Sequence, residues 1–103
     1  MDIKDIRAKL SGGNFEFSLH AFKRVVERNI SEDEIRQAGR NAEIIEDYPS
    51  DKYAPSCLVV GFSEDSRPLH LQVCYSSVDV LKIVTLYEPD RSEWIDCRIR
   101  RQT

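Results

Sequence analysis

A histidine and two arginines share one face of a predicted helix near the N-terminus. His20 and Arg24 are four residues apart, so their side chains are neighbours on that face, which Glu27 and Arg28 continue. An imidazole can move a proton near neutral pH, and a guanidinium can bind a phosphate through two hydrogen bonds. The spacing therefore predicts part of a site that acts on a phosphodiester, with one group to move a proton and one to bind the phosphate. The alternative is a solvated surface on which Glu27 pairs with Lys23 or Arg24.

Two further candidates for catalysis lie in or just after predicted strands. His70 lies on the more polar face of its strand, where it would meet His20 if the helix covered that face; the alternative is a half-exposed strand histidine. Glu88 precedes Pro89, which ends strand pairing and holds the carboxylate at a strand end, where functional residues commonly lie. The candidate catalytic residues are therefore His20, Arg24, His70 and Glu88.

A second group of residues is suited to holding a nucleic-acid substrate. Tyr87 and Trp94 carry rings on which a base can stack, although Trp94 can equally anchor the C-terminal turn onto the core. Arg98 belongs to a basic tail that can grip a phosphate backbone or an acidic partner, or can simply be solvated. That tail comprises Arg98, Arg100 and Arg101, with Arg91 nearby. The candidate substrate-binding residues are therefore Arg28, Tyr87, Trp94 and Arg98.

Metal chemistry has little support in the sequence. Four carboxylates lie in or just after the predicted strand over 43–48, but no nearby histidine or glycine-shaped loop accompanies them, so solvated edge charge is the better interpretation. They are Glu43, Glu46, Asp47 and Asp51. The three cysteines, Cys57, Cys74 and Cys97, are widely spaced, without a CxxC pair or Cys/His cluster. We expect reduced thiols in a cytoplasmic protein, inert at Cys57 and Cys74, with no bound metal and no cofactor.

The overall composition is that of a soluble globular protein. The 103 residues are enough for a single domain spanning 1–103 and too few for two. The formal net charge of −3 argues against a dedicated duplex-binding module, which usually has a basic excess. There is no apolar run long enough to span a membrane, and the charged N-terminus lacks the apolar core of a signal peptide.

Three helices are predicted in the first 41 residues. Apolar residues at helical spacing predict one over 2–10, which Gly12 ends. Ser18 is a plausible N-cap for a helix over 19–28, and Ser31 with Glu34 forms a capping box for a third that closes near 39–41. On the second helix the apolar side chains share one side, which we expect to pack on the sheet. They are Leu19, Phe22, Val25 and Val26.

The remaining chain predicts strands. Residues 15–17 alternate like a strand, and further strands are predicted over 43–48, 57–62, 69–75 and 80–87, with a polar loop over 49–56 and a helical turn over 89–94. The short connections favour an antiparallel meander. The predicted fold is therefore α+β, with N-terminal helices packed on one face of a three- to four-stranded antiparallel sheet.

Across nearly its whole length the chain resembles an uncharacterised family of small bacterial proteins, a domain of unknown function. The ordered residues that carry this resemblance are Ser18–Ala21, Arg24, Glu27–Arg28, Ile30–Glu34, Glu46–Pro49, Pro55–Leu58, Arg67–His70, Tyr87–Pro89 and Trp94. More distantly, the element order looks like the RelE superfamily of toxins, and BrnT in particular. That second resemblance implies a RelE/BrnT-like fold, RNA as substrate, an antitoxin protein as partner, and metal-independent cleavage.

Under this resemblance, a base would deprotonate the ribose 2′-hydroxyl, which attacks the adjacent phosphate. His20 or His70 would move the proton, and Arg24, Arg28 or Arg98 would hold the phosphate. The chain departs from such toxins in its net negative charge, which weakens RNA affinity because phosphate contacts dominate such binding.

Three functional hypotheses follow from the sequence. The leading one is a cytoplasmic, toxin-like, metal-independent endoribonuclease of a toxin–antitoxin pair. The alternative is a non-catalytic protein-binding domain in which Arg24, Arg28 and the arginine tail bind an acidic partner. A third is a metabolic enzyme that uses His20 and Glu88 on a small substrate. The sequence leaves the oligomeric state open.

Overall fold

The computed structural model describes residues 1–52 and 54–102. The helices and strands in chain order are α1 (Ile3–Ser11), β1 (Phe15–Phe17), α2 (Leu19–Glu27), α3 (Glu32–Arg40), β2 (Glu43–Tyr48), β3 (Ser56–Phe62), β4 (Pro68–Tyr75), β5 (Leu81–Tyr87), β6 (Trp94–Ile95) and β7 (Ile99–Arg100). The three predicted helices and five predicted strands are confirmed, with only small shifts at their ends. Strands β6 and β7 were not predicted, and Tyr53 of the predicted loop lies outside the described residues.

Each helix begins where a polar side chain accepts a backbone hydrogen bond. The Ser18 hydroxyl accepts from the amide of Ala21 at 3.0 Å, and the Asp2 carboxylate accepts from the amide of Lys4. At α3 the predicted capping box is complete, because the Ser31 amide donates to the Glu34 carboxylate and the Glu34 amide donates to the Ser31 hydroxyl. Local chemistry therefore fixes where these helices start.

The main sheet has five strands in the order β1-β5-β4-β3-β2, so the predicted count of three to four strands was too low, because the short β1 also pairs with β5. Strands β2 to β5 form the predicted antiparallel meander, but β1 lies parallel to β5, so the prediction of a purely antiparallel sheet was wrong. The connection rule that favoured antiparallel pairing applies only to neighbours joined by short loops. Strand β1 is separated from β5 by two helices and three strands, and therefore nothing local sets its direction.

The hydrophobic core lies between the helices and one face of this sheet. It is built from fully buried side chains of α1, α3 and the sheet, including Ile6, Leu10, Ile35, Val59, Leu69, Leu71, Val73, Leu81, Ile83 and Leu86. Gly61 of β3 lies directly against α3, where an added Cβ would overlap the backbone of Ala38. Helix α3 thus approaches the sheet as closely as two backbones can.

The opposite face of the sheet is covered by the hairpin of β6 and β7. Strand alternation puts His70 on this face, since its neighbours Leu69 and Leu71 belong to the helix-side core. Trp94 is 2% exposed, and its ring lies 4.5 Å from that of His70, edge to face. The prediction that Trp94 anchors the C-terminal turn is confirmed.

Helix α2 does not have the orientation that its amphipathic pattern predicted. Ala21 is fully buried and Val25 is packed against the core, but Leu19, Phe22 and Val26 are 72%, 55% and 67% exposed. The prediction that the apolar side of this helix packs on the sheet was wrong for these three residues.

The physical cause is that both ends of α2 are bonded to β5. The Ser18 hydroxyl donates to the carbonyl of Val84 at 2.9 Å, and the Arg28 guanidinium donates to the carbonyl of Leu86 at 2.7 Å. These bonds turn the side of Ala21 and Arg28 toward the sheet. At 3.6 residues per turn, that side is rotated by roughly 120° from the centre of the apolar stripe.

Candidate functional site

The histidine on α2 lies apart from His70 and Glu88, the predicted catalytic groups of the sheet. His20 is exposed, and no hydrogen bond or ion pair involves its side chain within the described residues. Arg24 forms an ion pair with Glu27 at 2.6 Å, as the solvated-surface interpretation predicted. The predicted pair of His20 and Arg24 is therefore a helix surface with its guanidinium already engaged by a carboxylate.

His70 is fully buried, so the half-exposed alternative was wrong. Its Nε2 lies 2.6 Å from the carbonyl oxygen of Cys97, which can only accept, so Nε2 carries the proton. Nδ1 then accepts from the hydroxyl of Tyr87 at 3.3 Å. Burial lowers the pKa of His70 below its ordinary value. The imidazole is therefore neutral, with one defined tautomer.

The two histidines lie on opposite sides of the sheet. Helix α2, which carries His20, contacts β5 and β1 on the helix side, whereas His70 points to the hairpin side. The structure therefore does not bring His20 and His70 to one cleft, and the two cannot act on one proton transfer without a large rearrangement.

Three of the predicted site residues do converge. Arg28, Tyr87 and Glu88 line a cleft of about 560 Å³ at the C-terminal end of α2, together with Arg67, Asp90 and Glu93. His70 lies behind Tyr87 and reaches this cleft only through the tyrosine hydroxyl. Burial raises the pKa of Tyr87, so the phenol stays protonated at neutral pH.

The charge of the cleft does not favour a phosphate. Its lining includes three carboxylates, from Glu88, Asp90 and Glu93, and only two guanidiniums. Of these, Arg28 also donates to the Leu86 carbonyl and Arg67 is paired with two carboxylates. An anion entering here would meet net negative charge.

Arg67 is the structural centre of this end of the molecule, and the site prediction omitted it. Its guanidinium is paired with Glu34 and with Glu88, and it donates at 3.0 Å to the carbonyls of Arg28 and Asn29. It thereby satisfies the carbonyls at the end of α2 while holding the start of α3 and the end of β5. Both carboxylates raise the pKa of Arg67, with Glu88 the larger contribution.

The one available signal for Arg67 was its place in the run Arg67–His70 that carries the family resemblance. Nothing in its spacing predicted the bonds, since Glu34 and Arg28 are more than 30 residues away in sequence.

The C-terminal arginines are bonded to the sheet. Arg98 pairs with Glu43 at 2.8 Å, and Arg100 pairs with Glu46 at 3.0 Å and lies over the ring of Trp94. Arg100 lowers the pKa of Glu46. The basic tail and the acidic edge of the sheet therefore pair with each other through these four residues, at a surface that stays in contact with water, since Arg98, Glu43 and Arg100 are 39%, 49% and 56% exposed.

Metal-binding groups do not cluster in the described part of the chain, where no set of three or more histidine, cysteine or carboxylate residues could hold an ion. All three cysteines are free thiols. Burial raises the pKa of Cys57 to about 11 and also raises that of Cys74, which makes both poor nucleophiles.

Helix α2 carries several exposed apolar side chains. We define the α2 surface as the exposed side chains of Leu19, Phe22, Lys23 and Val26. The three apolar members are at positions i, i+3 and i+7, so they form one stripe along the helix. Single exposed apolar residues are ordinary on a protein surface, whereas large contiguous apolar patches are typical of interaction sites.

The fold and these surfaces define the class of protein: an α+β protein with three helices, a five-stranded mixed sheet and a small covering hairpin. Residues 17–88 match the family described as a domain of unknown function, DUF4258, and the chain belongs to that family. The predicted membership of a domain-of-unknown-function family is thereby confirmed. The match includes α2 and the cleft residues up to Glu88, and excludes α1 and the hairpin.

Other comparisons gave no similar protein: neither a curated protein nor a solved structure matches the chain. The resemblance to RelE and BrnT toxins stays a prediction. No helix among the described residues has the length and apolar character needed to cross a bilayer.

Proposed function

We propose that this chain is a protein-binding domain that docks on its partner through the α2 surface. The observation that carries the proposal is the exposure of Leu19, Phe22 and Val26, each more than half exposed on one helix. Removing these side chains from water would contribute about 1.5–3 kcal/mol each when fully buried. A partner that covers the stripe would therefore gain affinity from it.

The exposed stripe is a fixed feature of the fold. Because Ser18 and Arg28 bond both ends of α2 to carbonyls of β5, the helix cannot roll to bury Leu19 or Phe22 without breaking those bonds. Loss of two such hydrogen bonds would cost about 1–3 kcal/mol in total. The domain therefore presents the stripe in one orientation.

The proposal keeps one half of the binding alternative drawn from the sequence and drops the other. The basic helix is kept, but its binding cation is now Lys23, which is exposed beside the stripe and has no ion pair in the described part of the chain. Arg24 and Arg28, which that alternative named, are engaged by Glu27 and by the Leu86 carbonyl. Arg98 and Arg100 already have carboxylate partners within the chain. Recognition is therefore assigned to α2, and the arginine tail is assigned to holding the hairpin.

The test is site-specific photo-crosslinking in the producing cells. A photo-reactive phenylalanine analogue replaces Phe22 in one variant and Val78, a still more exposed apolar residue in the β4–β5 turn, in the other. We expect a discrete crosslinked protein at position 22 alone. That protein is then identified and purified, and its binding to wild type, Phe22→Ala and Val78→Ala is measured.

The expected result is a loss of about thirtyfold in affinity for Phe22→Ala, the usual size of an aromatic hot spot, and no change for Val78→Ala. Equal binding by all three proteins would eliminate the α2 surface as the docking site.

A ribonuclease of a toxin–antitoxin pair is the second candidate, and the specific observation in its favour is the convergence of Arg28, Tyr87 and Glu88 in one cleft. In this hypothesis Arg28 holds the phosphate, and the pair of Tyr87 and His70 transfers the proton. The excess of carboxylates in the cleft ranks it second.

This second candidate is tested by incubating RNA with the purified wild type and with Arg28→Ala, Tyr87→Phe and His20→Ala. The cleft hypothesis expects cleavage by the wild type and by His20→Ala, and a loss of at least about a hundredfold in Tyr87→Phe. An inactive wild type that also fails to arrest growth on expression would eliminate the enzyme.

A further inference from the structure

We infer that the occupant of the α2 surface is an acidic, amphipathic helical segment of another protein. This inference rests on the proposed docking function and goes on to specify the chemistry of the partner. Three features of the described residues carry it: the spacing of the apolar stripe, the local charge of α2, and the opposite charge of the rest of the chain.

The apolar stripe fits a helical partner. Leu19, Phe22 and Val26 span eight residues, or about 10 Å along the helix axis. A second helix that lies along α2 presents its own apolar residues over the same length at i, i+3 or i+4, and i+7. The stripe is one residue wide, so a partner with a narrow apolar seam and polar flanks covers it fully.

The charge beside the stripe selects an acidic partner. Residues 19–28 include Lys23, Arg24 and Arg28 against Glu27 alone, a formal charge of +2 on a chain whose net charge is −3. Lys23 borders the stripe and has no partner within the described residues. Acidic side chains on the flank of a docked helix would pair with Lys23, and this complementarity would speed association and fix the register.

The same charges disfavour the other occupants of an exposed apolar helix. In a twofold dimer the same patch meets itself, so the unpaired Lys23 ammonium groups that border the two stripes would be brought together, since Arg24 is already paired with Glu27 and Arg28 is bonded to the sheet. An anionic membrane would attract α2 and repel the remainder of the chain, whose formal charge is −5. An acidic protein segment satisfies both the apolar stripe and the basic flank.

The experiment uses designed, helix-stabilised peptides of about 16 residues and the full chain. One peptide has leucine and phenylalanine at the helical spacing with glutamate on its flanks. A second replaces every glutamate with lysine, and a third contains the residues of the first in an order that removes the spacing. Binding is measured by fluorescence anisotropy at about 50 mM and about 500 mM salt.

We expect the glutamate peptide to bind at least about tenfold more tightly than the lysine peptide at low salt, and the difference to shrink at high salt. The peptide without the spacing should bind at least about tenfold more weakly than the first. Phe22→Ala should weaken binding of the glutamate peptide about thirtyfold. Lys23→Glu should reverse the preference between the two charged peptides. Val78→Ala should change neither the affinity nor the preference.

Three outcomes would overturn the inference. Equal affinity for the two charged peptides would rule out selection of an acidic partner. Dimerisation of the wild type in sedimentation equilibrium that is lost in Phe22→Ala would assign the stripe to a second copy. Binding to vesicles containing phosphatidylglycerol that is lost in the same variant would assign it to a membrane.

Failure of this inference and failure of the docking proposal are distinguishable. If the photo-crosslink at position 22 captures a protein whose binding depends on Phe22 but whose contacting segment is basic or not helical, only the identity of the occupant is wrong. If position 22 yields no crosslinked protein and none of the peptides binds, docking through α2 is wrong as well.

Discussion

The interpretation of His70 as a catalytic residue, drawn from the sequence, differs from the role that its position in the structure indicates. By type it is a candidate proton carrier, yet its imidazole is enclosed by Tyr87, Trp94 and the carbonyl of Cys97. Glu46 and Arg100 act on it with opposite signs, and burial is the largest influence on its pKa. Its role in the fold is to join β4 to the hairpin.

The lowered pKa of His70 gives a pH dependence of stability with a defined sign. Because the native imidazole resists protonation, the unfolded chain binds more protons than the native one below about pH 6.5. The free energy of unfolding therefore decreases as the pH is lowered through this range. A single histidine can change the free energy of unfolding by at most about 1.4 kcal/mol per pH unit. Urea unfolding between about pH 5 and pH 8 should show this slope in wild type and a smaller one in His70→Gln.

The control for this measurement is His20→Gln, because His20 is exposed and has no partner to lose among the described residues. It should keep the wild-type slope. A slope that is unchanged in His70→Gln would show that other groups set the pH dependence.

Arg67 is the second residue whose contribution can be measured directly. Its guanidinium joins α2, α3 and β5 through charged hydrogen bonds, so Arg67→Met should lower the free energy of unfolding by about 2–3 kcal/mol. The matched control is Arg40→Met, since Arg40 pairs with Glu64 at 3.6 Å and both side chains are more than 60% exposed. It should change stability by less than about 0.5 kcal/mol. Equal losses in the two variants would contradict the clamp role of Arg67.

Among the elements, α3 packs with its backbone directly against β3, and glycine makes this possible. A Cβ at Gly61 would overlap the carbonyl of Ala38, and one at Gly39 would overlap the side chain of Leu10. Gly61→Ala should therefore destabilise the protein by about 2–3 kcal/mol through overpacking.

Gly13→Ala is the comparison for this prediction. Gly13 has a φ of +79° and only the far end of Arg36 nearby, so the variant should lose about 1 kcal/mol from backbone strain alone. Thermal unfolding of both variants is the measurement. A Gly61→Ala protein as stable as the wild type would mean that α3 can move away from β3 without cost.

The orientation of α2 shows why a helical wheel is an incomplete guide. The wheel identified the apolar side of the helix correctly, but the fold turns a different side toward the sheet. That choice depends on Val84 and Leu86, whose carbonyls bond Ser18 and Arg28 and lie about 60 residues away. A local pattern contains no information about such distant partners.

For the whole molecule, the hairpin of β6 and β7 shields from water the residues around His70 on the face of the sheet opposite the helices. Trp94 packs on His70, and the pairs formed by Arg98 and Arg100 hold the hairpin to β2. The C-terminal segment is therefore part of the fold, even though it lies outside the matched family region.

Trp94→Ala should lower the free energy of unfolding by about 3–5 kcal/mol, because it removes a large buried ring from the centre of this face. Guanidinium unfolding followed by circular dichroism is the measurement, since Trp94 is the only tryptophan and its loss removes the fluorescence signal. Ile99→Ala, at a 62% exposed position of the same hairpin, should cost less than about 0.5 kcal/mol. Similar stability of both variants would contradict a packing role for the hairpin.

The sequence by itself determined the types and limits of the helices and long strands, the caps at Ser18 and Ser31, and the family. These depend on periodicity and capping over a few neighbouring residues. Only the tertiary structure decided the parallel pairing of β1, the exposed side of α2, the burial of His70 and the clamp at Arg67. Each of these depends on bonds between residues far apart in the chain, as between His70 and Cys97 or Arg67 and Glu34, and local physical rules cannot encode such pairs.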